Sequence, residues 1–195
     1  MDSETYSKDF PGSKTHMEIF PLIDKRQREI ENYPSTLFLQ QVILVCLDRY
    51  AITVAARFSC DKKVLFADKV LKFTSTGKMK RRILLITDFA VYIVDPDIDA
   101  LKRRISLAAV EKLCLSEVSD NFLAIIIPTE YDLLIASTRK TEIVTVIVDT
   151  TRSQSDYELE VLLSNRFEYN ATSELVKEID FEETEGGVRT RIVRK

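Results

Sequence analysis

A series of short apolar segments between Lys63 and Ser137 is the feature that most constrains the fold. The segments read "KVLFADKVLKF", "KRRILLIT", "FAVYIV", "LKRRISL", "CLSEV", "FLAIII" and "YDLLIAS". Turn-forming stretches such as "TSTGKM", "DPD" and "SDN" separate them. Short β-branched runs at this spacing are typical of antiparallel sandwiches and barrels. We therefore expect a mainly β fold with helices, of the α+β class.

The hydrophobic period changes after Ser137, where we predict a helix over residues 141–150. Thr138 is the expected N-cap, and Glu142 would lie in the first turn. The β-branched content of this stretch favours a strand, so the prediction depends on the helical spacing of its apolar residues. These residues would pack into the β core: Ile143, Val146 and Ile147.

Two further elements are predicted at the ends of the chain. The stretch "ELVKEIDFEETEGGVRTRIVR" alternates on both sides of Gly186 and Gly187, which predicts a C-terminal β-hairpin. Upstream, "PLIDKRQREIENY" has Pro21 at a plausible first helical position, which predicts a short N-terminal helix ending before Pro34. The segment between that helix and Lys63 is compatible with either a buried helix or strands.

Length and composition bound the domain organisation. The 195 residues are 45% hydrophobic and 30% charged, as in ordinary globular proteins. Residues 1–20 read as a disordered tail, and residues 21–195 as a single domain with a core of about 62–150. The longest apolar run, "LFLQQVILVCL", is too short and too interrupted to span a bilayer. We expect a cytoplasmic protein.

The residues needed for familiar catalytic and metal sites are missing from the sequence. His16 is the sole histidine, and Cys46, Cys60 and Cys114 have no CxxC spacing. The cysteines therefore read as small buried hydrophobic residues. No phosphate loop, GxSxG or HExxH motif is present. We expect a binding module without enzymatic activity, cofactor or metal.

A dense group of cations contrasts with the formal charge of −3 for the whole chain. Only Asp68 opposes these cations within residues 62–82: Lys62, Lys63, Lys69, Lys72, Lys78, Lys80, Arg81 and Arg82. A hairpin turn centred on Gly77 would place Lys72 opposite Arg82, and Thr74 opposite Lys80. Opposed like charges destabilise a sheet unless an anion lies between them.

Three interpretations of this basic hairpin remain open from the residues alone. The cations can be a solvated edge that discourages strand pairing, a site for anionic lipid, or a surface for an acidic partner. Nucleic acid is disfavoured because only Phe73 accompanies the cations, whereas base stacking requires interleaved aromatic residues.

The sequence also resembles the tail homology 1 domain of class I myosins. The resemblance lies in "VLFADKVLKFTSTGKMKRRILLITDFAVYIVDP", "LKRRISLAAVEKLCLSEVSDNFLAIIIP" and "YDLLIASTRKTEIVTVI", in that order. It implies a pleckstrin-homology-like, bent antiparallel β-barrel capped by a C-terminal helix. It further implies binding of phosphoinositides or other anionic phospholipids, which links the actin cytoskeleton to membranes at the cell cortex. No motor or neck sequence is present, so the chain is either a stand-alone tail-like protein or part of a longer one.

The resemblance also implies which residues contact lipid phosphate. Lys72 and Arg82 match the positions that hold the head group in that family. Diffuse attraction is expected from the remaining cations of the hairpin: Lys69, Lys78, Lys80 and Arg81. Actin-cytoskeleton or myosin-associated proteins are the implied protein partners.

The alternative is a protein-interaction module with the same fold and no lipid affinity. Such a module would use an apolar groove, or the "KRR" of residues 102–104, against acidic partners. Strand alternation predicts that Lys102 and Arg103 point to opposite faces. Replacing that pair is therefore expected to weaken membrane binding less than replacing Lys72 and Arg82.

Overall fold

The computed structural model describes residues 63–98, 100–155 and 157–195. The predicted tail, the predicted N-terminal helix and the uncertain segment before Lys63 lie outside the described residues, as do His16, Cys46, Cys60 and Lys62. The described part contains strands β1 (Val64–Phe73), β2 (Met79–Thr87), β3 (Ala90–Asp95), β4 (Ala100–Ser106), β5 (Lys112–Leu115), β6 (Phe122–Ile126), β7 (Leu133–Ala136), β8 (Glu160–Leu163), β9 (Arg166–Thr172), β10 (Leu175–Thr184) and β11 (Gly187–Arg194), with a 3-10 helix (Leu107–Ala109) and helix α1 (Lys140–Gln154).

The first eight strands form one sheet in the order β4-β3-β2-β1-β7-β6-β5-β8. Pairing of Lys72 with Ile135 joins the β1–β4 half to the β5–β7 half. This architecture confirms the predicted mainly β fold with a capping helix, and the eight strands form an open sheet rather than a closed barrel. β5 uses its second edge to pair in parallel with β8, from Lys112↔Glu160 to Leu115↔Leu163. That edge is consequently occupied and does not close on β4.

The inner face of this sheet forms the main core, and α1 covers it. Fully buried side chains from the sheet include Phe66, Leu84, Ile93 and Leu123. The helix contributes the predicted residues: Ile143 and Ile147, which are buried, and Val146, which is partly buried against the same cluster. The predicted helix is therefore confirmed, because burial of one apolar face outweighs the modest cost of β-branched residues in a helix.

The start of α1 differs from the prediction. Arg139 is the N-cap residue, and no side chain caps the helix there, so Thr138 is not the cap. Arg139 instead donates hydrogen bonds to both carboxylate oxygens of Glu142, at 2.8 and 2.6 Å. The acidic residue in the first turn is thus held by an ion pair next to the positive end of the helix dipole.

The last three strands form a separate sheet in the order β11-β10-β9. Its β10–β11 hairpin confirms the predicted one, with Thr184 opposite Gly187 and a positive φ of 131° at Gly187. The inner face of this sheet packs on the outer face of the larger sheet through aromatic rings. Phe181 on β10 lies 5.6 Å from Phe122 on β6 and 5.9 Å from Phe167 on β9, measured between ring centroids.

A candidate anion-binding site

The β1–β2 hairpin holds the predicted cations, but in a different register from the expected one. Lys72 lies opposite Lys80, and Arg82 lies opposite Val70. The predicted pairing of Lys72 with Arg82 is therefore wrong. The turn is centred on Thr76, since the closing backbone bonds join Thr74 to Lys78 and to Gly77. Gly77, with φ of 80°, occupies the left-handed position on one side of the turn rather than its centre.

The observed register divides the six predicted residues between two faces. Lys72, Lys80 and Arg82 share the face that continues into the buried core, because strand partners lie on the same side of a sheet. Lys69 and Arg81 lie on the opposite face. Lys78 is exposed in the turn. The structure thus brings three of the predicted residues together.

Arg82 is buried, with 8% of its surface exposed. Its Nη2 lies 3.0 Å from Oδ2 of Asp95 at the end of β3, and its Nη1 donates a 2.6 Å hydrogen bond to the carbonyl of Arg81. The Lys102 ammonium lies 3.7 Å from the same Asp95 oxygen. Arg82 is therefore a neutralised residue at the back of the site, whereas Lys72 is partly buried and Lys80 is exposed.

Arg103 on β4 completes the group, although the lipid-site prediction did not include it. Its guanidinium carbon lies 3.9 Å from the centroid of the Tyr131 ring, and its Nη2 donates to the Tyr131 carbonyl and, at 3.0 Å, to Oε2 of Glu130. Within the described residues, its Nη1 is buried and has no hydrogen-bond partner. Strand alternation could have identified Arg103, because it lies two positions before the buried Ile105 and therefore on the same face of β4.

The same geometry corrects the alternative based on residues 102–104. Lys102 is exposed and Arg103 is buried, as alternation predicted, while Arg104 donates to the hydroxyl of Tyr92 at 3.0 Å. These residues point in different directions and do not form one exposed basic surface. Arg103 also belongs to the candidate site, so the Lys102 and Arg103 pair is not a neutral comparison for Lys72 and Arg82.

We call Lys72, Lys80, Arg82 and Arg103 the cationic cluster. Burial lowers the pKa of Lys72 below its ordinary value, and the charges of Arg103, Arg82 and Lys80 lower it further. The Lys72 ammonium lies 5.7 Å from the centroid of the Tyr131 ring, on which Arg103 also stacks. No carboxylate in the described part of the chain forms an ion pair with Lys72 or Lys80. The arrangement is thus suited to an anion with several oxygens.

Other candidate chemistry is limited in the part of the chain that the structure describes. No group of three or more histidine, cysteine or acidic residues there is arranged to hold a metal ion. Cys114 is buried, as predicted, and burial raises the pKa of its thiol to about 11. None of the described helices has the length and apolarity required to cross a bilayer.

Comparison with known proteins decides the family. Residues 49–194 match the family described as unconventional myosin tail, actin- and lipid-binding. The chain belongs to this family. This confirms the resemblance to class I myosin tails and the expectation of a myosin tail domain of the lipid-binding type.

Individual relatives agree with this assignment. The chain is 32% identical over 130 residues to the myosin IB heavy chain of Dictyostelium discoideum, in a match that covers 64% of this chain and 12% of that one. It is 29% identical over 136 residues to the myosin heavy chain IB of Acanthamoeba castellanii, covering 67% of this chain and 12% of the relative. The chain therefore spans about an eighth of the length of these heavy chains.

A comparison with solved structures finds similarity to the hSac2 domain of human phosphoinositide phosphatase Sac2. The two are 13% identical with a TM-score of 0.46, in a match that covers 68% of this chain and 92% of that one.

Proposed function

We propose that this myosin tail domain is a non-catalytic membrane adaptor whose cationic cluster binds the head group of an anionic phospholipid, such as a phosphoinositide. The observation that carries the proposal is that Lys72 and Arg103 both lie over the Tyr131 ring, with Lys80 opposite Lys72 across the hairpin. Arg82 lies on the same strand face behind them. Tails of this family are described as actin- and lipid-binding. The domain would accordingly link actin-based or myosin-associated proteins to the cytoplasmic face of the membrane at the cell cortex.

Each residue has a distinct part in this proposal. Lys72 and Lys80 face each other across the hairpin without an intervening carboxylate, so a phosphate between them removes a repulsion. Arg103 adds planar donors at the base of the site. Arg82 supports the site from behind through Asp95. Around the site, the remaining cations add diffuse attraction: Lys69, Lys78 and Arg81.

The attraction must be local because the chain as a whole is acidic, with a formal charge of −3. Screening limits it to about 8–10 Å at physiological ionic strength. Each basic residue near an anionic leaflet contributes on the order of 1 kcal/mol, so the several cations of the hairpin give reversible recruitment.

The hairpin itself supplies a matched test, because two cations can be removed from either face. The double variant Lys72→Ala and Lys80→Ala removes two cations from the inner face. The double variant Lys69→Ala and Arg81→Ala removes two from the outer face of the same strands. Co-sedimentation with phosphatidylcholine vesicles, with and without phosphatidylinositol bisphosphate, should show a loss of about tenfold or more for the inner pair. The outer pair should lose several-fold less.

The outcomes separate the competing explanations. Equal losses for the two double variants would favour a diffuse basic surface over the cationic cluster. If the wild-type protein ignored anionic vesicles even at low salt, the protein-interaction alternative would replace the proposal. Raising the ionic strength should release the wild-type protein from anionic vesicles, since the site depends on charge.

A further inference from the structure

The loop between β6 and β7 places a carboxylate directly against the cationic cluster. Oε2 of Glu130 accepts hydrogen bonds from both Nη2 and Nε of Arg103, at 3.0 and 3.3 Å. A single oxygen accepts both, so the pair lacks the two-oxygen fork that makes an arginine–carboxylate pair strong. The Glu130 carboxylate thus lies where an oxygen of a bound anion would meet Arg103.

The two partners differ greatly in their access to water. The side chain of Arg103 is 5% exposed, whereas that of Glu130 is 49% exposed. Arg103 therefore cannot move into solvent without disturbing the core, but Glu130 can be rehydrated at small cost. The pair of Arg82 and Asp95 is different, because its side chains are only 9% and 12% exposed. Of the two carboxylates, Glu130 is the exchangeable one.

An incoming phosphate has more to offer Arg103 than Glu130 does. Nη1 of Arg103 is buried without a hydrogen-bond partner in the described residues, and a buried unsatisfied donor is costly. The nearby Lys72 has no ion-pair partner in the same part of the chain, and its pKa is lowered by burial and by the neighbouring cations. A phosphate in place of Glu130 has enough oxygens to engage both Arg103 and Lys72, whereas the Glu130 contact uses one oxygen on one arginine.

We propose that Glu130 is an internal competitor for the anionic head group, occupying Arg103 in the free protein and leaving when lipid phosphate binds. This inference rests on the proposed lipid-binding function and concerns the same site. Binding is then an exchange of one anion for another, and the net affinity is lower than the cations alone would provide. The loop that carries Glu130 thus lowers the affinity of the site for the lipid head group.

The decisive variant is Glu130→Gln, compared with Glu117→Gln. Both remove one negative charge, but Glu117 is exposed in the β5–β6 turn, at the other end of β6 from Glu130. Vesicles containing phosphatidylinositol bisphosphate and free inositol trisphosphate serve as probes, so that the head group is tested with and without a membrane. We expect Glu130→Gln to bind both probes about three- to fivefold more tightly than wild type. Glu117→Gln should bind within about 1.5-fold of wild type.

A second variant separates carboxylate position from net charge. Glu130→Asp keeps the charge but shortens the side chain, which withdraws the carboxylate from Arg103, so binding should again become tighter. This variant also provides the test if Glu130→Gln fails to fold. Wild-type affinity for Glu130→Asp, or equal affinities for the Gln variants of Glu130 and Glu117, would overturn the inference and leave the proposed function intact. Absence of binding by every protein, wild type included, would overturn both.

Discussion

The molecule carries basic residues in two regions with opposite electrostatic surroundings. In the cationic cluster, positive charges are crowded on one sheet face, and Lys72 lies opposite Lys80. On the outer face of the C-terminal sheet, basic residues lie opposite carboxylates instead. Arg166 is 2.8 Å from Glu178, and Arg191 is 3.3 Å from Asp180.

The pKa shifts of two lysines express this difference. The pKa of Lys72 is lowered by burial and by neighbouring cations, whereas the pKa of Lys195 is raised by its hydrogen bond to Glu168. A count of cations would rank the two regions as similar. Their charge balance differs: the C-terminal face is internally neutralised, whereas Lys72 and Lys80 of the cationic cluster have no carboxylate partner among the described residues.

The largest expected effect is on the free energy of unfolding, because the two regions bury their ion pairs to different depths. Asp95→Ala leaves the buried Arg82 guanidinium without its main partner, so we expect a loss of about 3 kcal/mol in the free energy of unfolding. Asp180→Ala breaks a largely exposed pair and should cost less than about 1 kcal/mol. Urea denaturation of both variants at one pH measures the difference. Similar losses would mean that the two regions do not differ in this respect.

The next effect concerns binding and uses single substitutions of equal charge. Lys72→Ala should weaken binding to vesicles containing phosphatidylinositol bisphosphate by about fivefold, since one cation contributes on the order of 1 kcal/mol near an anionic surface. Arg166→Ala removes the same charge from the paired C-terminal face and should leave binding nearly unchanged. Vesicle co-sedimentation measures both. A matching loss for Arg166→Ala would show that net charge, rather than arrangement, governs recruitment.

The smallest expected effect is on the pH dependence of stability, to which Lys72 and Lys195 contribute with opposite signs. Because the pKa of Lys72 is depressed in the folded state, the folded protein loses this proton first as the pH rises, and stability contributed by Lys72 increases up to the unfolded pKa. Lys195 has the opposite sign, since its raised pKa gives a contribution that is lost as the pH rises through the folded value. Titration of lysine side chains by NMR should place Lys72 below Lys195. Saturating inositol trisphosphate should raise the pKa of Lys72 and leave that of Lys195 unchanged.

Much of the fold could be predicted because it follows local patterns. Alternating apolar residues located the strands, and the spacing of Ile143 and Ile147 identified the helix despite its β-branched composition. The open form of the sheet could not be predicted in this way. It depends on β8, a short strand whose parallel pairing with β5 brings together residues nearly fifty positions apart.

The site was predicted in part, for a comparable reason. The hairpin brings cations together, as predicted. The predicted register was wrong by two residues, because the turn was centred on Gly77. Arg103 was recoverable from its position relative to Ile105. Glu130 and Tyr131 were not, because their loop reaches β4 by a contact over 27 or 28 positions, although three strands separate β4 from β7 in the sheet.

The parallel pairing of β8 with β5 has a consequence for dissecting the molecule with proteases. A fragment ending at Ser155, just after α1, would retain the hairpin and Arg103 but lose β8 and the C-terminal sheet. It would present an unpaired β5 edge to solvent, together with the apolar surface around Phe122 that Phe167 and Phe181 now cover. Open strand edges beside exposed aromatic surface promote self-association. We therefore expect that the half carrying the cationic cluster is not an autonomous unit, and that the fragment precipitates where the longer chain stays dispersed.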